Sequence, residues 1–220
     1  MTADDLLRQS GPINTGDQPL VSLVLSDANV DVWVTEAHIN EQISQVSTAV
    51  IDFACDTPQL DLNGLVGSEA RLTLHGTDNS PGRHYHGLIE HISQTGQDRR
   101  NSYYQIQLIT RLGLLNYRHN LRIFQQQNVI DIIQTILAEH QIEGDTVSLN
   151  LLNSYTPIDY CVQYRETDLA FIQRLMSHHG LYSHIEHHSD HHTLHLSDNC
   201  LLYTSPSPRD QRGSRMPSSA

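Results

Sequence analysis

The chain has 220 residues, enough for one large domain or two small ones, and 38% of them are hydrophobic, which supports a packed core and excludes wholesale disorder. Its formal net charge is −12 and it contains no lysine, so nucleic acid and anionic membranes are poor partners. Three cysteines make no disulfide framework, and neither a signal segment nor an apolar run of membrane length is present, so we expect a soluble cytosolic protein with no membrane span.

Residues 1–17 are predicted to be a flexible N-terminus, and residues 18–110 a first β-barrel-like domain. Short segments with alternating apolar residues follow one another here, separated by turn residues such as those at 78–82. Strands at this spacing favour a closed or nearly closed barrel, because closure leaves few unpaired sheet edges. The expected strands cover residues 21–25, 30–40, 46–54, 71–75, 84–94 and 103–109.

Residues 111–159 are predicted to be a helical or connecting region. Asn128 is a plausible N-cap, and Asp131 in the first turn complements the helix dipole. Apolar residues at positions 129, 132, 133, 136 and 137 form one continuous stripe, which predicts an amphipathic helix ending near His140.

Residues 160–199 are predicted to form a strand, a helix and a hairpin. Tyr160 to Tyr164 reads as the strand, Thr167 caps the helix, and Gly180 is the expected residue just past its C-terminus. A hairpin then turns at residues 189–190. The charged residues at the strand–helix boundary, Arg165, Glu166, Asp168 and Arg174, are interpreted as cap and ion-pair residues that hold the helix to its strand.

Eight of the 15 histidines lie between His178 and His195, which raises the alternative of a metal site. The hairpin register places His184 opposite His195 and His187 opposite His192, with paired Cβ atoms about 5 Å apart, close enough to share a zinc ion. Two opposed histidines leave coordination incomplete, so solvated hairpin histidines are the favoured interpretation. The usual zinc, serine-hydrolase and phosphate-loop motifs are absent from the sequence, and we expect no catalytic residue and no cofactor.

The segment 200–220, CLLYTSPSPRDQRGSRMPSSA, differs in character from the rest of the chain. It loses all periodicity, and it resembles the conceptual translation of sequencing-adapter read-through. We therefore interpret it as a non-native, disordered tail, and expect the natural protein to continue beyond Asn199.

One stretch carries a family resemblance. The sequence VQYRETDLAFIQRLM at residues 162–176, followed by Gly180 and a hairpin, resembles the hallmark of VgrG (valine-glycine repeat protein G), the spike protein family of type VI secretion. The segments at residues 60–74 and 87–140 resemble the same family, so the likeness covers residues 18–198. The signature positions, to which the resemblance assigns a structural role, are Gln163, Tyr164, Arg165, Glu166, Asp168, Leu169, Phe171, Arg174, Leu175 and Gly180.

The resemblance implies an α+β, mainly β fold, with a phage tail-hub-like barrel domain, a helical insertion and the start of a second, truncated barrel over residues 160–199. It implies a structural component of the spike rather than an enzyme: a homotrimer that docks on the tube of haemolysin-coregulated protein (Hcp) and carries effector or adaptor proteins. Such a protein is cytoplasmic before firing and is then secreted through the apparatus without a signal peptide. The alternatives are a contractile-phage baseplate hub and, from another class, a histidine-dependent metal-binding protein or metalloenzyme.

Overall fold

The computed structural model describes residues 20–56, 59–75 and 82–199. In this part of the chain the first half is a six-stranded antiparallel sheet, with strands in the order β1-β4-β5-β6-β3-β2. The two outer strands lie against each other, so the sheet is nearly closed, as predicted. Its strands are β1 (Val21–Leu25), β2 (Val32–Asn40), β3 (Thr48–Cys55), β4 (Glu69–Leu74), β5 (Arg83–Gln97) and β6 (Ser102–Ile109).

The nearly closed sheet encloses a core of apolar side chains, which alternate along its strands. Tyr104, Ile106 and Leu108 of β6 are buried, and Phe53 of β3 stacks on Tyr104 with ring centroids 5.5 Å apart. A short helix, α1 (Leu62–Leu65), interrupts the β pattern and was not predicted from the sequence. Most of the predicted turn at residues 78–82 lies outside the described residues.

The second half contains two small sheets and two helices. Strands β7 (His119–Gln127) and β9 (Ile158–Thr167) form an antiparallel ribbon. Helices α2 (Val129–Glu139) and α3 (Asp168–His178) pack on one side of it. Strands β10 (Tyr182–His187) and β11 (His192–Ser197) form the expected hairpin, and β8 (Val147–Asn150) pairs in parallel with β11. Short 3₁₀ helices cover Arg111–Tyr117 and Gly144–Thr146.

Both predicted helices begin as the sequence indicates. The Asn128 side chain accepts from the Asp131 amide at 2.9 Å, and the Thr167 hydroxyl accepts from the Ala170 amide at 3.0 Å. Gly180 follows α3 with φ of 68°, a left-handed conformation that favours glycine.

Residues 111–159 are not simply helical or connecting, because they contain the two strands β7 and β8. One apolar core, from Leu112 to Leu196, draws residues from both sides of the predicted boundary between 159 and 160. The assignment of residues 160–199 to the start of a second barrel stays a prediction.

Among the described residues, no helix has the length and apolar character needed to cross a membrane.

The hairpin rests on the first sheet. The Ser44 amide donates to the Ser183 carbonyl at 2.7 Å, and the Arg71 guanidinium donates to the Ser189 carbonyl at 2.6 Å. This contact brings the histidines of β10 and β11 against β5.

Candidate functional site

Two of the family-signature residues, Gln163 and Asp168, belong to a hydrogen-bond network around one buried carboxylate, that of Asp168. Its side chain is fully buried at the first position of α3, and its backbone amide donates to the Arg118 carbonyl at 2.9 Å. Five side chains donate to its two oxygens: Arg118 (2.6 Å), Gln163 (2.8 Å), Asn120 (2.9 Å), His140 (2.9 Å) and Arg122 (3.2 Å). The donors come from β7, β9, the end of α2 and the loop before β7.

The electrostatics of Asp168 follow from these bonds. Burial alone would raise the pKa of this carboxyl, but the hydrogen bonds from His140, Gln163, Asn120 and Arg118 outweigh burial and hold the pKa well below its usual range. The carboxylate is therefore ionised near pH 7, and both of its oxygens accept hydrogen bonds. Such a group cross-links strands and helices, and it has no free lone pair with which to serve as a base.

Glu139 joins the same network from the last turn of α2. Arg122 donates to both of its carboxylate oxygens, at 2.8 and 2.9 Å, and Arg118 donates to one of them. Burial alone would raise the pKa of Glu139, but the hydrogen bonds from Arg122 and Arg118 outweigh burial and lower the pKa below its usual value. Sequence reasoning missed Glu139, Arg118, Asn120, Arg122 and His140 as members of the site.

Gln163 and the residues around it position the helix. The Gln163 amide bridges Arg122, from which it accepts at 2.8 Å, and the Glu166 carbonyl, to which it donates at 3.2 Å. Arg165 is left unpaired by a register shift in the ribbon and has φ of 51°, which marks a β-bulge. Its guanidinium lies over the exposed Tyr164 ring, 5.3 Å from the centroid.

Arg174 holds α3 to the ribbon, although its partner is Glu166 and not Asp168. It donates to the Glu166 carboxylate at 2.6 Å and to the Val162 carbonyl at 3.0 Å, and lies 5.1 Å from the centroid of Phe171. Phe171 is fully buried and stacks on Phe124 with centroids 5.8 Å apart. Leu169 and Leu175 belong to the same core.

The hairpin histidines form the predicted pairs. His184 stacks on His195 with ring centroids 4.6 Å apart, and the two residues are register partners, as are His187 and His192. Glu186 bonds the His195 ring nitrogen at 2.9 Å. Burial lowers the pKa of His184, and His195 lowers it further.

The second pair is not solvated, which corrects the favoured interpretation. The side chains of His187 and His192 are buried against the first sheet, next to His86 of β5. His187 stacks on Tyr85 with centroids 4.3 Å apart, and its Nδ1 lies 3.1 Å from both the amide nitrogen and the carbonyl oxygen of His86. Its Nε2 lies 3.2 Å from a Glu41 oxygen, outside good hydrogen-bond geometry.

Hydrogen bonding fixes the tautomers of His192 and His86. The Arg111 amide donates to His192 Nε2 at 3.0 Å, so the proton of neutral His192 lies on Nδ1. That Nδ1 donates to His86 Nδ1 at 3.1 Å, which leaves the His86 proton on Nε2, facing Glu69 at 3.7 Å. Glu69 in turn pairs with Arg111 at 2.7 Å.

We call this set, His86, His187 and His192 with Glu41, Glu69 and Arg111, the histidine junction. Burial lowers the pKa of His192 to about 3 and that of His187 to about 4, and it also lowers the pKa of His86. The imidazoles are therefore neutral near pH 7 and act as hydrogen-bonding links between hairpin and sheet.

The paired histidines belong to no arranged metal site in the part of the chain that the structure covers. No group of three or more His, Cys, Asp or Glu side chains within it is placed to hold a metal ion. One surface cleft is lined by Asp61, whose side chain accepts from the Gly64 amide at 3.2 Å and so caps α1. A second cleft is lined by Asp27 and by Glu69, which pairs with Arg111. Stacking and hydrogen bonding explain the paired histidines instead.

Comparison with known proteins identifies the fold. The family model of the phage tail baseplate hub (GPD) matches residues 40–215, a range that reaches into the segment 200–220, so the foreign origin of that segment stays a prediction. The chain is 33% identical over 190 residues to the type VI secretion system spike protein VgrG4b of Pseudomonas aeruginosa, covering 86% of this chain and 23% of that protein. It is 32% identical over 148 residues to a Vibrio cholerae relative named actin cross-linking toxin VgrG1, covering 67% of this chain and 13% of that one.

Among solved structures, the Escherichia coli c3393 protein superimposes with a TM-score of 0.77 at 24% identity, over 84% of this chain and 51% of that one. It is described as a component of the type VI secretion system with structural similarity to the T4 bacteriophage tail proteins gp27 and gp5. The mainly β, tail-hub-like fold expected from the sequence is thereby confirmed. The chain spans less than a quarter of the length of these two curated relatives.

Proposed function

Because this chain belongs to the phage tail baseplate hub (GPD) family, we propose that it is the hub portion of a type VI secretion spike. Its role there is structural, and this portion carries out no catalysis. The observation that carries the proposal is the 33% identity to a named spike protein over 190 residues, 86% of this chain. The fully engaged Asp168 network supports it, because it favours rigidity over reactivity.

The partners follow from the same proposal. The hub is a homotrimer that seats on the Hcp tube, with effector or adaptor proteins attached to the spike. Three chains that each present two similar barrel-like faces would offer six similar contacts to a six-fold tube. The nearly closed first sheet supplies one such face, and residues 160–199 are proposed to begin the second. The protein is cytoplasmic before firing and is then delivered outward through the apparatus.

The test is the release of tube protein by a bacterium that encodes the full-length gene. We expect deletion of the gene to remove tube protein from the culture medium while its amount inside the cells stays unchanged. The intact gene should restore release, and a matched gene lacking codons 20–199 should not. Undiminished tube protein in the medium of the deletion strain would overturn the proposal.

A contractile-phage baseplate hub is the second candidate, because the matching family is itself described as a phage baseplate hub. The two functions differ in the particle that carries the protein. Prophage induction followed by mass spectrometry of purified virions separates them. The protein in virions, together with loss of plaques on deletion and normal release of tube protein, would favour the phage role.

A further inference from the structure

The β10–β11 hairpin is fastened to the first sheet at both of its ends. At its base the Ser44 amide donates to the Ser183 carbonyl at 2.7 Å, and the Ser183 amide donates to the Ser44 hydroxyl at 3.2 Å. At its other end lie residues 187–192, which we call the hairpin tip, and there His187 and His192 are held in the histidine junction. Backbone and hydroxyl groups keep the same charge in mild acid, whereas imidazoles do not, so the two ends differ in their response to pH.

Imidazole lone pairs hold the hairpin tip. His192 Nε2 accepts from the Arg111 amide at 3.0 Å, and His86 Nδ1 accepts from His192 Nδ1 at 3.1 Å. A ring nitrogen that gains a proton becomes a donor and can no longer accept a hydrogen bond. Protonation of His86 or His192 therefore sets one N–H group against another. A further tip contact, from the Arg71 guanidinium to the Ser189 carbonyl, is exposed, so water can replace it.

The acidic groups around the junction already have partners. Glu69 pairs with Arg111 at 2.7 Å, Glu41 pairs with Arg83, and Asp190 in the exposed turn bonds His191 at 2.8 Å. Paired carboxylates attract an additional positive charge less strongly, and Arg83 and Arg111 repel it. The charged and titratable groups that face the three imidazoles are Glu41 from the loop after β2, Glu69 and Arg71 from β4, Arg83 and Tyr85 from β5, Arg111 from the first 3₁₀ helix, and His188, Asp190 and His191 from the hairpin turn.

We propose that the hairpin tip is a clasp operated by protons: it lies closed on the first sheet while its imidazoles are neutral, and it swings away about the Ser44–Ser183 contact when they are protonated. Opening places the imidazoles in water, where the cation is stable, and it separates the opposed N–H groups. Leu194 and Leu196, through which β11 enters the apolar core of the second half, lie outside the tip, so that core stays intact. The clasp rests on contacts within one chain and is independent of the proposed hub function.

The direction and size of the effect follow from proton linkage. A histidine in water has a pKa near 6.5, whereas burial holds the pKa of His187 at about 4 and that of His192 at about 3 in the closed form. Protons therefore bind the open form first, and the ratio of open to closed molecules rises as the pH falls below about 6.5. Between about pH 7 and about pH 5 each of the two histidines raises this ratio about twentyfold, and together they raise it about four hundredfold.

The test is amide hydrogen exchange of the 220-residue chain, followed residue by residue by NMR at about pH 7 and about pH 5. Each rate is divided into that of an unstructured amide at the same pH, which gives a protection factor. The Arg111 and His86 amides, which lie 3.0 and 3.1 Å from the ring nitrogens of His192 and His187, report on the tip, and the Ser44 amide reports on the base.

We expect protection of the two tip amides to fall about four hundredfold, or to that of an unstructured amide, and protection of Ser44 to fall much less. Unchanged protection of the tip amides would overturn the inference. An equal fall at Ser44 would overturn it as well, because the hairpin would then leave the sheet as a whole.

His192→Gln separates protonation from hydrogen bonding. The glutamine amide oxygen can still accept from the Arg111 amide but binds no proton at about pH 5, so the fall in protection at Arg111 should shrink about twentyfold. His195→Gln is the matched control, because His195 lies on the same strand, outside the histidine junction. An unchanged fall in His192→Gln, or equal shrinkage in both variants, would contradict the clasp. If circular dichroism shows that His192→Gln does not fold, the comparison of tip and base in the wild type decides alone.

Discussion

Acidification should weaken the histidine junction more than any other feature of the described fold. In the neutral state His192 accepts at Nε2 from the Arg111 amide and donates from Nδ1 to His86. A second proton on His192 would place its Nε2–H against the Arg111 N–H, and a second proton on His86 would face the His192 Nδ1–H. Burial opposes protonation most strongly, and the nearby Arg83 and Arg111 oppose it as well. Glu69 favours protonation of His86 but does not outweigh burial.

The sign and size follow from proton linkage. The unfolded chain binds these protons near pH 6.5, and the folded chain binds them only near pH 4 at His187 and pH 3 at His192. The contribution of these two neutral histidines to the free energy of unfolding is complete above pH 6.5. It is lost as the pH falls toward those values, at about 1.4 kcal/mol per pH unit for each histidine. At about pH 5 the loss is about 2 kcal/mol for each histidine and about 4 kcal/mol for both. That is a large part of the free energy of unfolding of a typical protein, about 5–15 kcal/mol.

Urea unfolding at a series of pH values between about 7 and 5 measures this loss. His192→Gln, whose amide oxygen can still accept from the Arg111 amide, should flatten the pH dependence by about one proton, or about 1.4 kcal/mol per pH unit. His38→Gln is the control, because His38 is exposed on β2 and lies outside the histidine junction. Equal flattening by the two variants would show that the junction is not the cause. Equal unfolding free energies at pH 7 and pH 5, or an unchanged slope in His192→Gln, would refute the reasoning.

Two further predictions concern the start of helix α3 and the residue that follows its end. Asp168→Asn should lower the unfolding free energy in urea by about 3–5 kcal/mol, because it leaves buried donors without their anion. The exposed Asp159→Asn, which bonds only Gln126 among the contacts seen, should change it by less than about 0.5 kcal/mol, and similar values for the two variants would contradict the network. Gly180→Ala should lower the free energy of unfolding in urea by about 1–2 kcal/mol, because alanine is strained in the left-handed conformation of this position. Steric overlap does not contribute, since nothing lies within 4 Å of the added Cβ. Gly96→Ala, with ordinary φ and its nearest atom at 3.8 Å, is the comparison, and an equal effect at both positions would show that backbone conformation is not the cause.

Local signals explain what the sequence could predict. The caps Asn128 and Thr167 lie within three residues of the amides they bond, and Gly180 directly follows a helix. The hairpin register follows from its turn at residues 189–190, which is why the partners of His184 and His187 were correctly assigned. Each of these features needs only neighbours in sequence, so periodicity and turn chemistry were sufficient.

Long-range pairing explains what it could not. Strand β8 is four residues long and exists because it pairs in parallel with β11, so that Val147 meets Leu194. His86 and His192 are 106 residues apart, and nothing in either segment indicates that they meet. The burial of His187 and His192 depends on how the hairpin rests on the first sheet, which hydrophobic patterning of the hairpin alone does not reveal.

The Asp168 network and the exposed apolar residues of β7 and β9 are two consequences of one alternation. In a strand, successive side chains point to opposite sides, so Gln163 can reach inward to Asp168 only if Val162 and Tyr164 point outward. The same holds in β7, where Arg122 points inward between Leu121 and Ile123. Phe124 and Cys161 also point inward, into the apolar core. The inner side of the ribbon is thus shared between the charged network and the core, and Leu121, Ile123 and Val162 are left exposed on the other side.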